Sequence, residues 1–242
     1  MDSRAEDPQI GEDEKDIELV KDHIRKLIAT GFLELSTEQG SFILTARNVK
    51  IPNRADEYKT AQESFKNNDW ESVNEILIID LFERVVEDGK DVFRAVGWHD
   101  YRISRKSDGV VANGNRGSRL FELRSFEPKV VDEGLMMQRI PFQEIDKSPH
   151  LYGIQVENEH QKKGFGKLLT AVTIGSLKQL GVQTLDFSGK QSSEYSPILQ
   201  ELGFYPFNHL HEDHPIYDNP RQPITDFKDG KIAKMVKPFL RT

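Results

Sequence analysis

The chain has 242 residues and a net charge of −7, and 36% of its residues are hydrophobic, which is enough for one sizeable core with a small appendage. It contains no cysteine, so disulfides, thiolate metal sites and a cysteine nucleophile are excluded. No apolar run approaches the roughly 18 residues of a membrane-spanning helix, and the acidic N-terminus is unlike a signal peptide. We therefore predict a cytoplasmic protein with no membrane partner.

The negative charge is concentrated at the N-terminus. Residues 1–22 contain nine acidic and three basic side chains, so they carry −6 of the net −7. A segment of this composition favours disorder, and we predict a mobile acidic leader over residues 1–12. The remainder has no basic stripe with interleaved aromatic residues, so nucleic acid is not an expected partner.

A helix and a hairpin are predicted next along the chain. Apolar residues at helical spacing predict a helix over residues 13–30, which Gly31 can end. Two short apolar runs, at 32–35 and 42–46, are joined through a polar turn and predict a β-hairpin.

The following part of the chain is predicted as two helices and then several strands. The helices cover residues 55–67 and 69–87, with Asp69 as the N-cap of the second and Gly89 as its stop. Short apolar runs give three strand candidates, at residues 92–98, 119–126 and 135–142. Residues 113–117, which are rich in asparagine and glycine, are predicted as a turn or mobile loop.

The most informative stretch begins with an apolar run over residues 151–156, which stops at a polar loop. Gly164 and Gly166 follow, and an amphipathic stretch then continues to Leu180. We interpret this order as strand, anion-binding loop and helix, because glycine lets a ligand approach the backbone and helix N-terminal amides favour a phosphate. Positive charge is added nearby by Lys162, Lys163 and Lys167. A pyrophosphate is therefore the expected occupant.

Glycine spacing distinguishes the known families of phosphate loop. No Gly-Lys-Ser/Thr follows four residues after a first glycine, and Leu169 stands where a dinucleotide-binding fingerprint needs glycine. The pattern Gln161, Gly164, Gly166 instead resembles the Gln/Arg-x-x-Gly-x-Gly/Ala acyl-coenzyme A loop of the GNAT acetyltransferase superfamily. A helix start with two incidental glycines is the alternative interpretation.

The sequence around this loop extends the resemblance over residues 149–239. Gly181 is suited to a helix C-cap, residues 182–187 alternate like a strand, and a short helix leads into Leu-Gly-Phe at 202–204. The closing segment 233–239 is similar to the last strand of the family. The resemblance implies the GNAT acyl-coenzyme A N-acyltransferase fold. This is an α+β fold (an α/β sandwich) in which helices flank a mixed central sheet.

The resemblance also implies a domain organisation with an extension before the fold. We predict an acidic leader over residues 1–12, an N-terminal helical extension over 13–40 and a GNAT-like domain over 41–242. Within that domain the coenzyme-binding core covers 149–204 and an insertion covers 208–229. The extra N-terminal helix is expected to pack on the flank of the sheet.

Three histidines and two acidic residues lie close together in the insertion, at His209, His211, Glu212, Asp213 and His214. Imidazoles at this spacing could bind a metal ion. A polar insertion near the substrate mouth is the other interpretation, and we prefer it because no second cluster supplies further ligands. No metal site is predicted.

Acetyl-coenzyme A is the co-substrate that the resemblance implies. In that family the pantetheine lies along the strand before the loop, the pyrophosphate binds the loop backbone, and an asparagine lies eleven residues before the glycine of Leu-Gly-Phe. The coenzyme-binding residues implied in this way are Ile154, Gln155, Val156, Gln161, Lys162, Lys163, Gly164, Phe165, Gly166, Lys167 and Ser192. The main-chain amide near Val156 is expected to polarise the thioester carbonyl.

The catalytic residues are less well defined by the resemblance. His150 stands where the histone-modifying branch of the family has a glutamate base, and Glu157 and Glu144 are alternative bases. The family often has a tyrosine acid at the position that is Leu199 here. Tyr195 lies one helical turn earlier, so its hydroxyl would be displaced by about 6 Å along the helix.

The function that the resemblance implies is direct transfer of an acetyl group from acetyl-coenzyme A to an amine, through a ternary complex. The acceptor is open between a small molecule and a peptide or protein, and homodimers are common in the family. The rival interpretation is a non-catalytic GNAT-fold module that binds coenzyme or a partner, because the tyrosine and asparagine of the family are both replaced.

Overall fold

The computed structural model describes residues 8–50, 73–106, 109–114, 126–131, 134–139, 154–190, 196–204, 216–218 and 222–240. In these residues helices pack against a mixed β-sheet. This arrangement confirms the α+β class predicted from the sequence.

The described part of the chain contains four α-helices and eleven strands. The helices are α1 (Pro8–Thr30), α2 (Phe165–Gln179), α3 (Ser196–Leu202) and α4 (Asp229–Val236). Short 3-10 helices cover Asn158–His160, Ile224–Asp226 and Lys237–Phe239. The strands are β1 (Phe32–Thr37), β2 (Gly40–Lys50), β3 (Val73–Glu87), β4 (Lys90–Lys106), β5 (Gly109–Gly114), β6 (Phe126–Val131), β7 (Gly134–Arg139), β8 (Ile154–Val156), β9 (Thr184–Lys190), β10 (Ile216–Asp218) and β11 (Gln222–Pro223).

Nine of these strands form one sheet, in the order β1-β2-β3-β4-β5-β9-β10, with β8 beside β4 and β11 beside β9. Its ladders are antiparallel except between β5 and β9, which run parallel. The remaining strands, β6 and β7, form a separate antiparallel pair. The sheet is therefore mixed, as the resemblance implied.

The main core lies between one face of the sheet and α1, α2 and α4. Helix α1 contributes Val20, Ile24 and Leu27, each at most 2% exposed. At Gly175 of α2, an added Cβ would lie 2.5 Å from Cδ1 of Ile24, so glycine accommodates the close approach of these two helices. The N-terminal helix is thus part of the main core.

Several predicted elements agree with the structure. The helix predicted over 13–30 is confirmed and ends at Gly31, although it begins earlier, at Pro8. Residues 8–12 of the predicted leader therefore belong to a helix, and residues 1–7 lie outside the described residues. The first hairpin is also confirmed, as β1 and β2.

Two of the later strand predictions match in part. Strand β4 contains the predicted run 92–98 and extends well beyond it, while β7 overlaps the run 135–142. Of the run 119–126, only Phe126 is described, at the start of β6. Of the loop predicted over 113–117, Asn113 and Gly114 instead end strand β5.

The helix predicted over residues 69–87 is wrong, because strand β3 occupies Val73–Glu87. Residues 75–82 are buried on both faces of the sheet, so their burial does not alternate, and the short apolar run 76–79 does not separate strand from helix. The two-residue turn Asp88–Gly89 has φ values of 51° and 74°, the geometry of a tight β-hairpin turn rather than a helix stop. The companion helix predicted over 55–67 lies outside the described residues.

The strand predicted over residues 233–239 is also wrong. Helix α4 ends at Val236 and a 3-10 helix continues to Phe239. Ile232, Val236 and Phe239 are buried at spacings of four and three residues, which is the spacing of one helical face. This face packs against α1 and α2, so tertiary burial determines the helix.

Within the described residues, no helix is long and apolar enough to cross a membrane.

Asp229, at the start of α4, links three helices. Its carboxylate pairs with the ammonium of Lys178 on α2 and, at 3.1 Å, with that of Lys21 on α1. Burial raises the pKa of Asp229, but the hydrogen bonds and charges of the two lysines outweigh it and hold the pKa below its ordinary value of 3.8. The hydrogen bond to Asp229, and then one to Glu18, raise the pKa of Lys21 above its ordinary value.

We expect Asp229→Asn to lower the free energy of unfolding near neutral pH by about 1 kcal/mol, as for a partly exposed ion pair. Because the folded pKa of Asp229 is lowered, its contribution is complete above the unfolded pKa of about 3.9 and is lost as pH falls through the folded value. Urea unfolding of wild type and variant between neutral and strongly acidic pH measures this. A difference between the two proteins that does not shrink in acid would contradict the assignment.

Candidate functional site

Strands β5 and β8 lie end to end along the same edge of β4. Strand β5 pairs with residues 102–106 of β4, and β8 pairs with residues 97–99. Asn113 pairs with Arg102, so the next residue, Gly114, lies level with Tyr101. Ile154 pairs with His99. The chain therefore leaves this line at Gly114 and rejoins it two positions further on.

Strand β9 runs beside β5 but forms no ladder with β8 among the described strands. It pairs with β5 as far as Phe187, while its other edge holds β11 and β10. Gly114 pairs with Phe187, and Ile154 lies two register positions beyond Gly114. If β8 and β9 paired side by side, Ile154 would therefore lie opposite Gly189. Within the described residues, the sheet is thus split between β8 and the second half of β9.

The open edge of β8 carries main-chain hydrogen-bonding groups. The amide of Glu157 donates to the carbonyl of Val96 at 2.8 Å, so Glu157 faces β4. Since successive residues of an antiparallel strand alternate in direction, the N–H and C=O groups of Ile154 and Val156 face the split. A ligand with its own amides can pair with this edge like an added strand.

The loop after β8 has the backbone geometry of an anion site. Lys162 and Gly164 have φ values of 63° and 88°, and Lys163 between them is not in the positive-φ region. Alternation of this kind turns successive N–H groups toward one point and forms an anion-binding concavity. The loop ends at the N-terminus of α2, whose dipole also favours negative charge.

Glycine at the N-cap leaves the first amides of α2 without a side-chain cap. Gly164 has no side chain to accept their hydrogen bonds, and no cap bond is formed. The first intrahelical bond is donated by Leu168 to the Gly164 carbonyl, at 3.0 Å. The amides of Phe165, Gly166 and Lys167 therefore lie before that bond, at the open end of the helix.

Phe165 anchors this end of α2 in the core. Its side chain is 1% exposed, and its ring centroid lies 4.9 Å from that of Phe42, 5.6 Å from Phe239 and 6.0 Å from His160. The position of the helix N-terminus is thus set by aromatic packing on the sheet. The sequence marked Phe165 as a loop residue for the coenzyme, but its side chain points into the protein.

The three lysines of the loop are not equivalent. Lys162 and Lys163 are exposed, as an anion-attracting role requires. The Nζ atom of Lys167 lies 2.9 Å from a carboxylate oxygen of Glu201 on α3. Lys167 therefore links α2 to α3 through its side chain, and only its main-chain amide faces the helix end.

His160 was missed by the sequence analysis. Its ring is 5% exposed, and Nε2 lies 3.3 Å from a carboxylate oxygen of Glu159 and 3.9 Å from one of Glu83. The ring thus packs the short 3-10 turn between β8 and the loop beside Glu83 of β3. A single histidine among polar loop residues gives no periodicity, so no sequence signal marked it as buried.

The predicted catalytic residues lie mostly beyond the described structure. His150, Glu144, Tyr195 and Ser192 are outside the described residues. Glu157 is described, and it stands at the end of β8 as the N-cap of the 3-10 turn, partly exposed.

Leu199 occupies the position at which the resembled family often has a tyrosine. It is completely buried within α3, and its carbonyl accepts the amides of Gly203 and Phe204. This position therefore supplies packing and ends the helix. It cannot supply an acidic hydroxyl.

The predicted insertion is described only in part. Residues 216–218 and 222–223 form β10 and β11, which pair with β9 and so extend the sheet. The three histidines and their acidic neighbours lie outside the described residues. In the described ranges, no group of three or more His, Cys, Asp or Glu side chains is placed to hold a metal ion.

Comparison with known proteins gives no family for this chain. No protein-family model matches it, and no curated protein matches it. Among solved structures, it is similar to the cAMP-binding acyltransferase from Mycobacterium smegmatis, with a TM-score of 0.37 and 13% identity, covering 90% of this chain and 60% of that one. Two mutants of the same protein give TM-scores of 0.37 and 0.36 at 13% identity, covering 91% and 92% of this chain and 62% and 60% of theirs.

The chain thus spans about three fifths of the length of these neighbours. At this level of overlap, neither their fold family nor their activity carries over to it.

The two loop glycines should respond differently to alanine. At Gly164 the φ of 88° disfavours any side chain, and a Cβ would lie 3.2 Å from Cζ of Phe239. At Gly166 a Cβ would lie 3.9 Å from Cγ2 of Val156, an ordinary contact. We expect Gly164→Ala to destabilise the protein by about 1–2 kcal/mol and Gly166→Ala to be neutral or stabilising, since alanine suits a helix. Chemical denaturation measures both, and equal destabilisation would contradict the loop geometry.

Proposed function

We propose that this protein is an acyl-coenzyme A-dependent N-acyltransferase of the GNAT type, most simply an acetyltransferase. The observation that carries this proposal is the junction of two features at one point. The split edge of β8 ends at Val156, and the anion-binding loop and α2 N-terminus begin a few residues later. One extended ligand that has amide groups and a pyrophosphate suits both features.

Acetyl-coenzyme A has the groups that this junction would bind. Its pantetheine amides would pair with the main-chain groups of Ile154 and Val156, which face the split. The main-chain groups of Gln155, between them, face β4 instead. The pyrophosphate would lie against the amides from Lys163 to Lys167, with Lys162 and Lys163 adding charge. Phe165 and Gly164 support this site by packing and by backbone conformation. A Cβ at Gly164 would lie only 3.2 Å from Cζ of Phe239, so the loop backbone packs closely on the aromatic cluster.

The acyl group, at the opposite end of the pantetheine from the pyrophosphate, would then lie along the split in the sheet. In direct transfer the acceptor nitrogen bonds to the acyl carbon, the carbon–sulfur bond breaks, and the nitrogen releases a proton to a base. A main-chain N–H of β8 that faces the split can donate to the carbonyl oxygen as negative charge develops on it. His150 remains the proposed base, with Glu157 as alternative, and Tyr195 remains the proposed proton donor to the departing thiolate.

The acceptor is proposed to be an amine of a small molecule, a peptide or a protein. Homodimer formation and a cytoplasmic location also remain proposals, as does a coenzyme contact from Ser192.

Calorimetric titration of acetyl-coenzyme A tests the site directly. We expect micromolar binding by the wild type, retained in Gly166→Ala and lost in Gly164→Glu, whose side chain would be strained and would place a carboxylate beside the phosphates. Circular dichroism of each variant checks that it is folded. No binding by the wild type would exclude the enzyme proposal, and the loop would then be only a helix start.

Steady-state kinetics tests the order of transfer. With no cysteine in the chain to carry an acyl group, double-reciprocal plots against both substrates should intersect, as for a ternary complex. The measurement uses the first amine that a screen of polyamines, aminoglycosides and peptide N-termini identifies. Parallel lines would show a covalent acyl-enzyme and exclude direct transfer.

A second function, coenzyme binding without turnover, is favoured by one specific observation. Leu199 is buried in the core at the position of the tyrosine acid. Tight coenzyme binding without transfer to any amine in the same screen would support this non-catalytic module. Transfer to any amine would exclude it.

A further inference from the structure

An ion pair joins the first turn of α2 to α3. The Nζ atom of Lys167 lies 2.9 Å from a carboxylate oxygen of Glu201, and the two side chains are 45% and 40% exposed. Along the chain, α2 follows β8 and α3 follows β9, the strands on the two sides of the split. The pair therefore links the helices that continue the two sides of the split, close to the open amides of the α2 N-terminus.

Each charge of this pair lies at the end of its helix that the helix dipole disfavours. Lys167 belongs to the first turn of α2, where the dipole is positive, and Glu201 is the last residue but one of α3, where it is negative. In the coenzyme-free protein each side chain therefore depends on the other to offset an unfavourable position. An exposed ion pair of this kind is weak, so it can be exchanged for a better partner.

A bound pyrophosphate would be such a partner for Lys167. The amide of Lys167 is one of the open amides at which the pyrophosphate is proposed to lie, and its ammonium ends a flexible stem of four carbons. The ammonium can thus turn from Glu201 toward an anion at its own helix end while the main chain stays in place. Pyrophosphate also carries more negative charge than one carboxylate, and it would offset the dipole at that end.

We propose that Glu201 and the coenzyme pyrophosphate compete for Lys167, so that Glu201 lowers the affinity of the site for acyl-coenzyme A. The inference rests on the proposed acyl-coenzyme A function and concerns the regulation of that same site. Lys167 is held by α3 in the free protein and is transferred to the phosphates when the coenzyme binds.

Calorimetry with acetyl-coenzyme A at low ionic strength, where exposed charges are least screened, tests the competition. Glu201→Gln removes the competing charge, so we expect the dissociation constant to fall by about two- to fivefold, the range that corresponds to the strength of an exposed ion pair. In a Lys167→Met background the same substitution should lose most of this gain, because no ammonium remains to be released. Urea unfolding of each variant checks that it is folded.

Lys163→Met provides the matched control. It also removes one cation of the loop and should weaken coenzyme binding, but Glu201→Gln should keep its full gain in this background. An equal gain in the wild-type and Lys167→Met backgrounds would overturn the proposal, because Glu201 would then act only through its long-range charge. The absence of any gain from Glu201→Gln in the wild-type background would overturn it as well.

Inorganic pyrophosphate, as a second probe, separates the competition from the proposed function. The exchange at Lys167 needs only the phosphates, so the same order of dissociation constants is expected with this probe. If the wild type binds pyrophosphate with that order but does not bind acetyl-coenzyme A, the proposed function fails and the competition for Lys167 stands. If the wild type binds neither probe, both are overturned.

Discussion

Helix α2 is enclosed by the sheet on one side and by α1 and α4 on the other, and the geometry of the candidate site depends on this enclosure. Every residue from 168 to 177 is buried, so sliding or rotating the helix would expose apolar surface at a cost of about 25 cal/mol per Å². Gly175 lets Ile24 of α1 approach closely. The N-terminus of α2 is thereby held at a fixed place beside the end of β8.

An anion site made from backbone amides needs such a scaffold. Amide groups cannot adjust their direction by rotating a side chain, so the loop must itself be held in place. Phe165 does this from the helix side, through its contacts with Phe42 and Phe239, and His160 does it from the strand side, beside Glu83. The charge of Lys162 and Lys163 is then added at the surface, where long side chains stay hydrated.

The strand, loop and helix around Gly164 could be predicted from sequence because each has a local cause. The strand ends where apolar residues end, and a positive φ favours glycine. Strand β3 could not be predicted in this way, since its residues 75–82 are buried on both faces and lose the alternation that marks a strand. Its hairpin did have a local signal, because Asp88 and Gly89 form the preferred two-residue turn.

The C-terminal helix was missed for a different reason. The resemblance to the family's last strand was preferred over the helical spacing of Ile232, Val236 and Phe239, which did indicate a helix. The hydrogen bond that the Gln161 side chain donates to the Val156 carbonyl, at 3.2 Å, could not be predicted either, because it joins residues through a side chain in an irregular turn. No periodicity records such a contact.

The end-to-end placement of β5 and β8 gives the sheet a single point of exit and return. Gly114 and Ile154 lie two register positions apart along β4, a distance of about 7 Å at the rise of a strand. Residues 115–153, which include the pair β6–β7, are thus inserted at this one point of the β4 edge and do not interrupt the line of partners formed by β5 and β8.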